Sequence, residues 1–254
     1  MSLFYFYLKQ QLTKHKQQSF AKFELAELKM KALQAQLDPH FISNALNAIQ
    51  YFILQRDEVA ANNYLSRFTD LTRLFLEVSR KGLVTLETEL ELLNNYLSLE
   101  KLRFENKFDF SIVVHPSIDI KDNYIPGLLI QPFVENSINH GIVYLPKGKI
   151  GLVLININKN ADVIDITIND NGIGRKKAKE MKSRLAKSYR SHSSLIVEEL
   201  KQAYNTFPGC EISIETFDKS GMENEPLGTC IYIKVKINKE LITPNLNYDE
   251  NSNY

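Results

Sequence analysis

The 254-residue sequence has few cysteines, no long apolar run and almost no net charge. Its two cysteines, Cys210 and Cys230, lie about twenty residues apart without metal-ligand spacing, which predicts reduced, partly buried side chains and argues against a disulfide. The five histidines are scattered, so a zinc site is not expected. Because the net charge is only +1, the sequence gives no reason to expect a nucleic-acid partner.

No apolar run approaches the roughly twenty residues that a membrane-spanning helix needs. The nearest candidate is Leu3–Leu8, which is followed by lysines such as Lys9 and Lys14, as on the cytoplasmic flank of a membrane helix. Two interpretations stay open. The run is either the end of a membrane helix or an aromatic start to an ordinary helix.

The first part of the chain, residues 1–105, has helical periodicity. The pattern is helical from about Leu8 to Leu37. Within it a short heptad seam, typical of a coiled coil, is formed by Phe23, Ala26, Met30, Leu33 and Leu37, and this seam either pairs with its twin in a symmetric dimer or packs within one chain. Two further helices are predicted over about Asp57 to Ser79 and, after an N-cap at Thr85, to about Phe104. These helices predict a dimerisation hairpin that forms a four-helix bundle in a homodimer.

Composition changes after residue 105. Alternating, β-branched segments predict strands over Phe108–Val114, Ile150–Asn158, Val163–Asn169, Glu211–Phe217 and Thr229–Ile237. A helix is predicted from Leu128 to Asn139. The predicted fold class is therefore α+β, with the helical hairpin followed by an α/β sandwich over residues 106–242 and a disordered tail over 243–254.

The stretch LQAQLDPHFISNALNAIQYFI contains a proline inside a helical pattern. Pro39 must kink the helix or restart it, and Asp38 before it is a suitable N-cap. His40 then lies at the mouth of a fresh helical turn, where an unprotonated imidazole nitrogen can act as a nucleophile. The alternative is a histidine that merely begins a helix.

Two polar segments stand out in the second part, Gln131–Gly141 and Asp170–Gly174. An amide oxygen such as that of Asn136 is a ligand that Mg²⁺ accepts, and a carboxylate such as that of Asp170 can accept a hydrogen bond from an adenine amino group. The glycine spacing differs from the P-loop and from the dinucleotide fingerprint. Each segment by itself is often only a turn or a polar helix face.

The proline-histidine stretch resembles the phospho-acceptor segment of the LytS/YehU-type sensor histidine kinases, with the pattern Q-x-x-P-H-F-x-x-N-x-L-N. The pattern is filled by Gln36, Pro39, His40, Phe41, Asn44, Leu46 and Asn47. Asp38 and Ser43 stand where asparagine and an aromatic residue are commoner in the family. The two polar segments, in this order, resemble the N-box and first glycine box of the GHKL ATP-binding fold. The resemblance covers about Leu25 to Ile237.

The resemblance implies that the chain binds ATP and Mg²⁺ and that His40 is the catalytic phospho-acceptor. It assigns Asn136 as the metal ligand, Glu135 as its polar partner and Asp170 as the adenine anchor. Gly172 and Gly174 would shape the turn, and His140 and Gly141 match the family's H-G ending.

Two features depart from the family pattern. Asn139 stands where a lysine is usual, and the lid segment Ser191–Ile196 contains no glycine. A basic run after the glycine turn either supplies phosphate-binding charge instead or is a solvated helix face. It comprises Arg175, Lys176, Lys177, Lys179, Arg184, Lys187 and Arg190.

The resemblance implies that these residues are the cytoplasmic part of an inner-membrane sensor histidine kinase, whose membrane segment would lie upstream of them. We expect autophosphorylation of His40 and transfer to an aspartate on the receiver domain of a response regulator. One alternative is a degenerate signalling scaffold of the same fold that binds ATP weakly. The other is a different GHKL ATPase in which His40 is only structural.

Overall fold

The structure is a computed structural model, and it describes residues 39–105, 107–185, 204–205, 209–220 and 226–238. The predicted coiled coil up to Leu37, the lid segment Ser191–Ile196 and the tail over 243–254 lie outside these ranges. Among the described helices, none combines the length and apolarity that a membrane crossing requires.

Three long helices come first: α1 (Pro39–Leu54), α2 (Glu58–Arg80) and α3 (Leu86–Arg103). The side chain of Asp57 accepts a hydrogen bond from the Ala60 N–H at 2.9 Å and caps α2. The predicted cap at Thr85 is also present, since its hydroxyl accepts from the backbone of α3 at 3.2 Å. The helical interpretation of this segment is therefore confirmed from Pro39 onward.

The three helices pack through one apolar stripe each. On α2 the stripe consists of the buried residues Ala61, Tyr64, Leu71, Phe75 and Val78, at the three- and four-residue spacing that places side chains on one face. The Phe41 ring of α1 lies between Phe68 and Tyr96, with centroid distances of 5.8 and 5.7 Å. This aromatic cluster joins α1, α2 and α3.

A five-stranded mixed sheet follows, with the spatial order β2-β4-β5-β7-β6. Its strands are β2 (Phe108–Val114), β4 (Gly151–Asn160), β5 (Val163–Asp170), β6 (Cys210–Ser220) and β7 (Pro226–Ile237). The β2–β4 pair is parallel and the other pairs are antiparallel. Alternation along the strands buries one face, which includes Ile155, Ile166 and Ile233.

The buried face of the sheet lies in one core with α3 and α4 (Gln131–Asn136). Leu93 and Leu97 of α3 and Phe133 and Val134 of α4 are all at most 2% exposed. Each fully buried side chain of this kind contributes about 1.5–3 kcal/mol relative to exposure. The predicted α+β class, with helices preceding a sheet domain, is confirmed.

The structure differs from the sequence prediction around α4. The helix begins at Gln131 rather than Leu128, because Leu128 has a φ of 62° and cannot belong to a right-handed helix. It continues as a π-helix over Ser137–Gly141 and as a 3-10 turn over Ile142–Tyr144. Two short strands, β1 (Leu83–Thr85) and β3 (Tyr124–Pro126), were not predicted and pair with each other.

Candidate functional site

Asp170 ends β5 and is only 3% exposed. Its Oδ1 accepts hydrogen bonds from the Gly172 N–H at 2.8 Å and the Thr229 N–H at 3.1 Å, and the Ser137 hydroxyl also hydrogen-bonds to the carboxyl. Burial raises the pKa of Asp170 above its ordinary value, although these donors and the charge of Lys219 oppose the rise. The carboxyl is thus fixed in position by three elements of the fold.

The glycine turn after Asp170 lies directly against the end of the π-helix. A Cβ atom at Gly172 would lie 2.5 Å from Gly141 Cα, and one at Gly141 would lie 3.3 Å from Asp170 Oδ1. The Ile173 N–H donates to the Gly141 carbonyl at 3.3 Å. Glycine is required at position 172, because an added Cβ would overlap the backbone of Gly141. At position 141 an added Cβ would only press on the Asp170 carboxyl.

Gly174 ends this turn with a φ of 74° and begins α5 (Gly174–Leu185). The left-handed backbone there favours glycine and turns the chain from the end of β5 into the basic helix. The structure therefore explains why the predicted turn has glycine at both position 172 and position 174.

Sequence reasoning missed the residues that complete the surroundings of Asp170. Ser137 lies on the π-helix, and Gly228 and Thr229 lie on β7, 58 and 59 residues after Asp170. Lys219 on β6 donates to the Asp170 carbonyl at 2.7 Å. The signal that could have found them is Gly228, because glycine inside a strand often marks a close approach of another backbone.

The other predicted ligand residues lie on α4 and its π-helical extension. Glu135 and Asn136 are the last two residues of α4, and both are half-buried. The Asn139 side chain donates a hydrogen bond to Glu135 Oε1 at 3.5 Å. Asn139 also accepts from Arg103 at 3.4 Å. His140 is half-buried on the π-helix, next to Gly141. The structure thus brings the two predicted segments together through Ser137 and Gly141.

His40 lies in α1, directly after Pro39. Its backbone is helical, and its side chain lies outside the described part of the structure. The described part of this helix starts at Pro39, so the break expected at this proline stays a prediction.

Arg175, the first residue of the basic run, binds to β6. Its Nε donates to Asp218 at 3.1 Å and its second guanidinium nitrogen donates to the Thr216 carbonyl at 3.1 Å. Arg175 therefore fastens α5 to β6. Lys176, Lys177 and Lys179 are exposed, and Lys187 and Arg190 lie outside the described residues.

This arrangement suits a purine nucleotide. A buried carboxyl held at a fixed angle can accept a hydrogen bond from an exocyclic amino group. The amide oxygen of Asn136 and the carboxylate of Glu135 are hard oxygen donors of the kind that Mg²⁺ prefers.

Residues 28–108 match the protein family described as histidine kinase. The chain is 38% identical over 150 residues to the sensor protein LytS of Oceanobacillus iheyensis, an alignment that covers 59% of this chain and 25% of the relative. It is 34% identical over 155 residues to the sensor histidine kinase/phosphatase LytS of Staphylococcus aureus, covering 61% of this chain and 26% of the relative.

The resemblance to LytS-type sensor histidine kinases is confirmed. The chain spans about a quarter of the length of these LytS relatives.

Two solved structures are similar in fold. One is the histidine kinase domain of the blue-light activated kinase from Erythrobacter litoralis, with 16% identity, a TM-score of 0.43 and coverage of 88% of this chain and 98% of that chain. The other is histidine kinase ThkA in complex with the response regulator TrrA, with 15% identity, a TM-score of 0.39 and coverage of 80% and 60%.

Proposed function

We propose that this chain is the kinase core of a two-component sensor, which binds ATP in its sheet domain and phosphorylates itself on His40. The observation that carries the proposal is the fixed, buried Asp170 carboxyl packed against the helix that bears Asn136. The resemblance to LytS supports the proposal further, because it includes the segment that contains His40. The site residues keep the roles that the resemblance implies, with Asp170 on the adenine and Gly172 and Gly174 shaping the turn.

The proposed reaction is an in-line phosphoryl transfer. An unprotonated ring nitrogen of His40 forms a bond to the γ-phosphorus while the bond from that phosphorus to the bridging oxygen breaks, and ADP leaves with the electron pair. The protein contributes mainly position and charge. Bound Mg²⁺ would neutralise phosphate charge. Asn136, with Glu135 beside it, would hold the metal ion.

A homodimer is part of the proposal. Apolar side chains on α1 and α2 stay exposed, including Leu46, Ile53, Leu54 and Val59, which are between 58% and 81% exposed. A second copy that covers this face would complete a four-helix bundle. We propose that residues 1–105 form this helical domain, that 106–242 form the nucleotide domain and that 243–254 form a tail.

The phosphoryl group would pass to the receiver domain of a response regulator, and the chain would be the cytoplasmic part of a membrane sensor. Both statements rest on the LytS resemblance. Nucleic acid is not a proposed partner.

Incubation with γ-labelled ATP and Mg²⁺ tests the proposal. Wild-type protein should take up acid-labile label, and His40→Gln should take up none. His115→Gln is the matched control, because His115 is exposed at the end of β2 and should leave labelling unchanged. Asn136→Ala should lower labelling at least about tenfold through loss of a metal ligand, whereas Asn94→Ala, at an exposed position on α3, should not.

The result separates the proposal from its alternatives. Tight Mg²⁺-dependent ATP binding without label on His40 would refute the kinase and favour a signalling scaffold. Release of free phosphate that survives His40→Gln would favour another ATPase of the same fold.

A further inference from the structure

Glu89 is a completely buried carboxyl group on α3, with 0% of its surface exposed. Its two oxygens accept hydrogen bonds from the Leu128 N–H at 2.9 Å and the Ile130 N–H at 3.0 Å, and the Leu129 N–H adds a third favourable contact. The acceptor and donors are about forty residues apart in sequence. A buried charge without such donors would be strongly unfavourable, so the two segments are bound to each other.

The bound segment is strained and otherwise lacks a regular structure. Leu128 has a φ of 62°, an unusual conformation for a bulky side chain, which persists only where the surroundings enforce it. The neighbouring Gly127 packs on Val78 of α2, where a Cβ would lie 2.7 Å from Val78 Cγ1, and its carbonyl accepts from the buried Tyr204 hydroxyl at 3.0 Å. Glu89 therefore supplies the only charged acceptor that the described residues give to this turn.

This turn leads directly into α4. The α-helical part of α4 has only six residues, too few to be stable or oriented without tertiary contacts. Its far end is fixed to the Asp170 turn through Ser137 and Gly141. Its near end depends on the segment that Glu89 holds.

We propose that Glu89 is a positioning residue for the nucleotide site: by binding the backbone N–H groups before α4, it sets where that helix places Asn136 relative to Asp170. Because Glu89 belongs to α3, the helix that follows the histidine hairpin, the same contact ties the helical segment to the site. Its consequence for nucleotide binding rests on the proposed function, whereas the contact itself does not.

The experiment compares Glu89→Gln with wild type at pH 8, using the full 254-residue chain. Glutamine keeps the size of the side chain but presents an NH₂ group to one of the N–H donors. The control is Glu91→Gln, which removes the same charge from an exposed position on the same helix. The first measurement is amide hydrogen exchange without nucleotide, and the second is the dissociation constant for Mg-ATP.

Protection of residues 128–141 should fall at least about tenfold in Glu89→Gln, the effect of losing roughly one hydrogen bond to a charged group. Protection of the β4–β5 hairpin should not change, and the Glu91→Gln exchange pattern should match that of wild type. The Mg-ATP dissociation constant should rise by a similar factor in Glu89→Gln only.

Unchanged protection over 128–141, or an equal loss of protection throughout the chain, would overturn the inference, since the second outcome indicates general destabilisation. Loss of protection over 128–141 with an unchanged Mg-ATP dissociation constant would refute the positioning of the site. Failure of wild type to bind Mg-ATP would count against the proposed function, and the exchange measurement would still decide whether Glu89 holds the turn.

Discussion

Gly228 offers a sharp test of how the site is packed. It lies in β7 with a φ of 103°, and an added Cβ would lie 2.0 Å from the Asp170 carbonyl oxygen and 2.6 Å from the Asp170 carbonyl carbon. Both atoms are backbone in the neighbouring strand and cannot rotate away. Gly148 is the matched control, because it has a φ of 87° but no described heavy atom within 4 Å of its added Cβ.

The comparison separates backbone strain from steric overlap. Each alanine substitution costs about 1–3 kcal/mol for the left-handed backbone, and only Gly228→Ala adds the cost of forcing two strands apart, about 1–3 kcal/mol or more. Urea unfolding should therefore show Gly228→Ala to be less stable than Gly148→Ala by at least about 1 kcal/mol. Gly228→Ala should also weaken Mg-ATP binding by displacing Asp170, and Gly148→Ala should not. Equal losses of stability in the two variants would refute the reasoning.

Two further predictions concern buried polar groups. The Tyr64 hydroxyl is buried without a hydrogen-bond partner among the described residues, whereas the Tyr204 hydroxyl donates to the Gly127 carbonyl. Tyr204→Phe should therefore lower the free energy of unfolding by about 1 kcal/mol, and Tyr64→Phe should leave it unchanged or raise it. Comparable losses for the two variants in urea unfolding would contradict this. Burial raises the pKa of Glu89 from 4.5 to about 7, so between these values the folded state holds a proton that the unfolded chain has lost. The free energy of unfolding should therefore fall by about 3 kcal/mol as the pH rises through this window. In unfolding measurements at pH 5 to 8, Glu89→Gln should lack this pH-dependent fall. The same dependence of the free energy of unfolding on pH in wild type and variant would contradict the prediction.

The regular elements could be predicted because their signals are local. The alternation predicts strands over Phe108–Val114 and Val163–Asn169. The first strand is observed with these bounds, and the second continues one residue further, to Asp170. The caps at Asp57 and Thr85 were predictable because a side-chain oxygen satisfies an N–H three residues away. The three-residue strands β1 and β3 have no period long enough to detect, so they were missed.

The site could be predicted only in part, because its geometry depends on contacts between distant segments. Asp170 and its glycine turn have a local pattern, but the Ser137 and Thr229 groups that fix the carboxyl come from other elements. The early start predicted for α4 was wrong for the same reason. Periodicity continues back to Leu128, while the backbone N–H groups there bind Glu89 instead of continuing a helix.

These contacts explain how the helical segment and the nucleotide site are connected. The connecting element, α4, is too short to hold its own position, and it is fixed at one end by Glu89 of α3 and at the other by the Asp170 turn. Burying an ionised Glu89 costs stability, since the pKa is raised, yet the carboxylate form offers acceptors to both N–H groups at once. Well-packed apolar residues often replace a buried charge without loss of stability. The buried carboxyl therefore fits the proposed role in placing α4 better than a role in stabilising the core. The proposal predicts that a displacement of α3 also moves Asn136.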